Sequence, residues 1–102
     1  MPPMIYTRKS ELDEACRRYG VAKLEVFGSS VAGTFDPIRS DLDFLVSFTE
    51  KARQKAFDNY FGLHERLEEL FGRRVDLLTE RSVKNPILKR SIDAQRQLIY
   101  AA

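Results

Sequence analysis

The chain has little that would place it outside the cell or in a membrane. It holds one cysteine, Cys16, so no internal disulfide can form, and this usage suits a reducing cytosol. No apolar run approaches the ~20 residues of a membrane span. The start, Met1-Pro2-Pro3-Met4-Ile5, lacks the charged and apolar regions of a signal peptide, so a cytoplasmic protein is expected. Charge of one sign is also missing. With 17 basic and 15 acidic residues the net charge is +2, too balanced to argue for a direct nucleic-acid surface. There is one histidine, His64, and Cys16 has no partner at zinc-ligand spacing. Repeats and low-complexity segments are absent. What remains is 102 residues, 43% hydrophobic with seven Phe, enough for one modest core. A single domain over 1–102 is expected.

The most informative feature is a pair of aspartates, Asp41 and Asp43, that follow a Gly28-Ser29 pair across an eleven-residue spacer, Ser30 to Ser40. Strand residues two apart share a face. In the run 41–48, Leu42, Phe44, Val46 and Phe48 can fill a core while Asp41 and Asp43 stand together on the other side. Like charges this close repel by roughly 1 kcal/mol in water and more in a less polar site. A divalent cation with oxygen ligands offsets that repulsion. Arg74-Val75-Asp76-Leu77-Leu78 reads as another short strand, with Val75 and Leu77 on one face and Asp76 on the other. If the two strands pair, three carboxylates converge, and such clusters hold metal for in-line displacement at phosphorus.

Helical periodicity supplies the remaining elements. Residues 1–7 read as a loose lead-in, because Pro2 and Pro3 oppose helix. Thr7 or Ser10 can cap a helix with the stripe Leu12, Ala15, Cys16, Tyr19, ended by Gly20. Lys23 to Phe27 alternate as a strand. Gly28-Ser29 turns into a short helix, about 30–33, whose start would face an anion. Asp36-Pro37 marks a loop. One helix is expected over about 51–71, with Phe57, Tyr60, Phe61, His64, Leu67 and Phe71 on its inner side and Gly72 closing it. His64 and Cys16 read as packed structural residues. The Phe57/Tyr60/Phe61/Phe71 cluster reads as core, or as a partner surface where exposed. Asn85-Pro86 should open a helix through Ile87, Leu88, Ser91 and Ile92. Residues 96–100 read as a last strand. Arg39, Arg73 and Arg74 lie near the acidic motifs, where they either meet a triphosphate or serve solubility. The order α-β-α-β-α-β-α-β predicts an α/β (α+β) fold, a small mixed sheet with flanking helices.

Gly28-Ser29, the spacer, Asp41-x-Asp43 and the later Asp76 resemble the DNA polymerase β-type nucleotidyltransferase superfamily. The stretch 24–48, LEVFGSSVAGTFDPIRSDLDFLVSF, carries most of the likeness. The minimal MNT-type branch, antitoxins found beside HEPN-domain toxins, is the nearest in pattern. The resemblance implies the nucleotidyltransferase fold and transfer of AMP from Mg²⁺-bound (or Mn²⁺-bound) ATP to a hydroxyl. It implies that Asp41, Asp43 and Asp76 hold metal, that Asp76 acts as base, and that Gly28 and Ser29 cradle the β- and γ-phosphates. Larger members add a domain that binds the acceptor. The resemblance therefore implies a partner, a HEPN-type toxin whose tyrosine is adenylylated. Ala32 stands where many relatives carry an arginine. Two alternatives stay open: a non-catalytic antitoxin that neutralises by occlusion, and a transferase acting on a small molecule.

Overall fold

The computed structural model describes residues 3–28 and 41–102. Ser29, the expected short helix at 30–33, Ala32, the Asp36-Pro37 loop and Arg39 lie outside the described residues.

The lead-in is helical after all. Helix α1 (Pro3–Thr7) starts on proline, where a missing N–H costs nothing. Its Ile5 is fully buried and anchors it to the core. Helix α2 (Lys9–Arg18) buries Leu12, Ala15 and Cys16, as the stripe predicts. Neither Thr7 nor Ser10 caps it. Arg8 holds the cap position without a side-chain hydrogen bond. The Thr7 hydroxyl instead donates back to the carbonyls of Pro3 and Met4.

Strand β1 (Val21–Phe27) and β2 (Leu42–Phe48) pair antiparallel, with Leu24 opposite Val46 and Phe27 opposite Asp43. The expected single helix at 51–71 is two. Helix α3 (Glu50–Arg53) is capped by the Thr49 hydroxyl, and helix α4 (Ala56–Phe71) follows. At the break, the Asn59 side-chain amide donates to the Ala52 carbonyl at 2.9 Å. Gly72 ends α4 at φ +62°, a conformation that favours glycine.

Strand β3 (Val75–Thr79) lies parallel to β2. A short 3₁₀ turn (Glu80–Ser82) leads to α5 (Pro86–Gln95). Asn85 caps α5 by accepting from the amides of Ile87 and Leu88. Strand β4 (Gln97–Ala101) then pairs antiparallel with β1. The sheet order among the described residues is β3-β2-β1-β4.

The core lies on one face of this sheet. Leu24, Val26, Leu42, Phe44, Val46, Val75 and Leu77 meet α2 and α4 there. Each fully buried side chain of this size contributes about 1.5–3 kcal/mol. The inner side of α4 differs from the expectation. Leu63, Leu67, Leu70 and Phe71 are buried, whereas Phe57 and Phe61 are exposed. Both sets obey helical spacing. Tertiary packing selects the aliphatic one, and Phe57 and Phe61 pack on each other at 4.5 Å between centroids. The opposite face of the sheet carries Asp43, Leu45 and Asp76. Helix α5 covers the Leu45 end of it with Ile92.

Candidate active site

Period-two alternation delivers the carboxylates. In the parallel ladder, Leu42 stands beside Val75, Asp43 beside Asp76 and Phe44 beside Leu77. The apolar partners on either side sink into the core, so both aspartates project from the open face. The Asp43 and Asp76 carboxyls are close enough to share a hydrogen bond when one of them carries a proton. Burial, then the charge of Asp76, then that hydrogen bond, then the charge of Asp41 push the Asp43 carboxyl up to about 6. Asp43 thus sits under like-charge stress. Asp41, half-buried at the entry to β2, adds to it.

Gly28 closes the site from the other side. It turns at φ +80° directly after β1. A Cβ there would overlap the Asp43 carboxylate, with Cγ at 3.2 Å and Oδ2 nearer still. The glycine therefore has a structural reason for its place: the backbone turns against the Asp43 carboxylate, and only a bare backbone fits.

Two positioning contacts escaped the sequence. Tyr60 donates its hydroxyl proton to the Leu77 carbonyl, and His64 Nε2 meets the Val75 carbonyl at 2.8 Å. These carbonyls flank Asp76, so α4 fixes the β3 edge on both sides of it. The two rings stack with an interplanar angle of 3°. Glu68 adds a third tie by accepting from the Val75 amide at 3.0 Å. Burial first and the Asp76 charge second raise the Tyr60 pKa. The available signal was the i, i+4 spacing of two polar-tipped rings on one helix. The structural reading of His64 holds, as does that of Cys16, whose thiol burial pushes up to about 12.

A second polar cluster supports the same face further along the strands. Glu25 is buried opposite Leu45, and the Arg96 guanidinium grips it through Nε and Nη2, both at 2.8 Å. Arg96 also donates to Glu80 at 2.7 Å and to Asp93 at 2.8 Å. Hydrogen bonds from Arg96 and from the Ser47 hydroxyl hold the Glu80 carboxyl down at about 2. The alternating pattern placed Glu25 in a strand but could not show its burial.

The donor set at Asp41, Asp43 and Asp76 is oxygen only, which suits a hard divalent cation. Among the described residues no three side chains form a ready-made metal cage. Mg²⁺ does not need one. It is commonly held by one or two carboxylates together with water and substrate phosphates. The stress on Asp43 is what such a cation would relieve.

A mixed sheet with in-register carboxylates on its open face and a glycine turn against them is an arrangement suited to metal-assisted phosphoryl transfer. The comparisons identify the family. A model of the nucleotidyltransferase domain family matches residues 9–99, and the chain belongs to that family. A candidate protein adenylyltransferase of Methanocaldococcus jannaschii is 39% identical over 83 residues, 81% of this chain and 79% of that protein. The protein adenylyltransferase MntA of Thermococcus cleftensis is 38% identical over 97 residues, 95% of this chain and 88% of that protein. Among solved structures, a minimal nucleotidyltransferase superposes with TM-score 0.73 at 31% identity, covering 91% of this chain and 90% of that one. A chain from the complex of tri-AMPylated Shewanella oneidensis HEPN toxin with MNT antitoxin shares the fold, with TM-score 0.59 at 18% identity over 95% and 72% of the two chains.

Proposed function

We propose that this nucleotidyltransferase moves AMP from ATP to a hydroxyl of a partner protein, a tyrosine of a HEPN-type toxin, and so acts as a cytoplasmic antitoxin. The observation that carries the reading is the Asp43–Asp76 pair, in register across parallel strands and stressed by its own charge. The relatives' activity as protein adenylyltransferases and the AMPylated toxin in the Shewanella complex support the acceptor class.

Asp41, Asp43 and Asp76 would hold Mg²⁺ or Mn²⁺, which when bound neutralises charge developing on the triphosphate. The chain supplies the rest. Gly28 would bring its backbone amide to the β- and γ-phosphates, and the resemblance implies the same role for the Ser29 hydroxyl. Asp76 is exposed and accepts the proton of the incoming hydroxyl. Tyr60 and His64 keep that carboxylate in place through the carbonyls on either side. The acceptor oxygen bonds to the α-phosphorus, the α–β bridging P–O bond breaks, and pyrophosphate leaves.

The test is the intact mass of the toxin after co-expression with the wild-type protein or with Asp41→Asn/Asp43→Asn. AMP units added only by the wild type are expected. Full neutralisation by the double variant, with no mass added in either case, would replace this reading with the occluding binder.

A further inference from the structure

A cavity of about 420 Å³ opens at the end of the sheet away from the carboxylates. The topology sets this separation. Gly28 follows β1 and Asp41 precedes β2 at one end, while Gly20 precedes β1 and Thr49 follows β2 at the other. There the Thr49 amide donates to the Gly20 carbonyl at 2.9 Å. Gly20 and Ala52 form the floor, and Thr49, Gln54 and Asn59 supply uncharged polar groups.

The charged lining is of one sign. Arg17 and Arg18 come from the last turn of α2, and Lys51 and Lys55 from α3 and the residues after it. No acidic residue lines the cavity among the described residues. Among the described residues none of the four cations is in an ion pair, although the chain makes ion pairs elsewhere; away from the cavity Arg17 has Asp13 near it and Arg18 has Glu14. Arg18 is held over the Tyr19 ring at 5.5 Å. The two arginines have an ordinary use at the negative end of α2. Lys51 and Lys55 do not share it, since they arrive from another element. Four exposed cations border one cavity, and a ligand carrying several negative charges would offset their like charge. The volume is in the range of small-ligand sites.

We propose that this cavity is a second binding site, distinct from the catalytic carboxylates, for a small polyanion bearing at least two phosphates. Arg17 and Arg18 supply planar forks for phosphate oxygens, and Lys51 and Lys55 supply point charges. Binding needs no divalent metal, because the cations of the site are its own side chains. The catalytic face is the reverse case, acidic and repellent to polyphosphate without metal.

The test uses inorganic tripolyphosphate with the metal-free protein in EDTA at about 0.1 M salt, followed by calorimetry. Saturable one-site binding is expected. It should weaken at least tenfold in Lys51→Glu/Lys55→Glu and severalfold in the milder Lys51→Gln/Lys55→Gln. It should persist in Asp43→Asn/Asp76→Asn and in the charge-matched control Lys84→Glu/Arg90→Glu. No saturable binding by the wild type would overturn the proposal. So would equal losses in the cavity and control variants, or cavity variants that bind as the wild type does. Replacing tripolyphosphate by ATP, again without metal, distinguishes a nucleotide from an inorganic source. The adenylylation assay is read separately with metal, so failure here leaves the catalytic reading standing.

Discussion

Gly28→Ala is the sharpest probe of how the site is built, because one methyl group acts in two separable ways. The left-handed backbone at φ +80° costs an alanine about 1–2 kcal/mol. At roughly 4–8 °C per kcal/mol for a domain near this size, that alone lowers Tm by about 5–15 °C. The new Cβ also overlaps the Asp43 carboxylate, whose Cγ would lie 3.2 Å away. Asp43 must turn aside, and misplacing a reacting group by ~1 Å costs about 100-fold in rate. A double-mutant cycle separates the two effects. In an Asp43→Ala background the overlap is gone and only backbone strain remains. Gly28→Ala should therefore cost less stability there, by about 0.5–3 kcal/mol. Urea unfolding of the four proteins measures this, and AMP transfer to the co-expressed partner measures the rate. Equal destabilisation in both backgrounds, with transfer by Gly28→Ala within a few-fold of wild type, would refute the steric argument.

The carbonyl tie beside Asp76 predicts that Tyr60→Phe loses about 1 kcal/mol of stability and slows AMP transfer; urea unfolding and steady-state kinetics measure the two effects. The Glu80 carboxyl is held at about 2 in the folded state against an ordinary 4.5, so its contribution is present above pH 4.5 and is lost as pH falls from there toward 2. Arg96→Ala should reduce that acid sensitivity, leaving the Ser47 share, and also lower the urea midpoint at neutral pH, because Glu25 would be left buried without its guanidinium.

The local pattern of side chains determined a good deal. Alternation through 41–48 and 74–78 assigned Phe44 and Leu77 to the core, and so forced Asp43 and Asp76 to the other face before any partner was known. Strand side chains alternate strictly, so this placement needs no tertiary information. The same holds for Asn85-Pro86, whose capping chemistry lies within four residues. Packing was needed wherever two answers satisfied one period. Phe57/Phe61 and Leu63/Leu67 are both legitimate helical stripes, and contact with α2 and the sheet buried the second. Glu25 alternates with apolar neighbours in its strand, but its burial depends on Arg96, 71 positions away. Gly28 suggested a phosphate turn, yet its nearest constraint is a carboxylate fifteen residues on. The four cations at the far end of the sheet are separate surface charges in the sequence. Only the hairpin that joins Gly20 to Thr49 brings them around one cavity. Periodicity settles which way a side chain points along its own element, but what it meets depends on residues that chain closure brings from elsewhere.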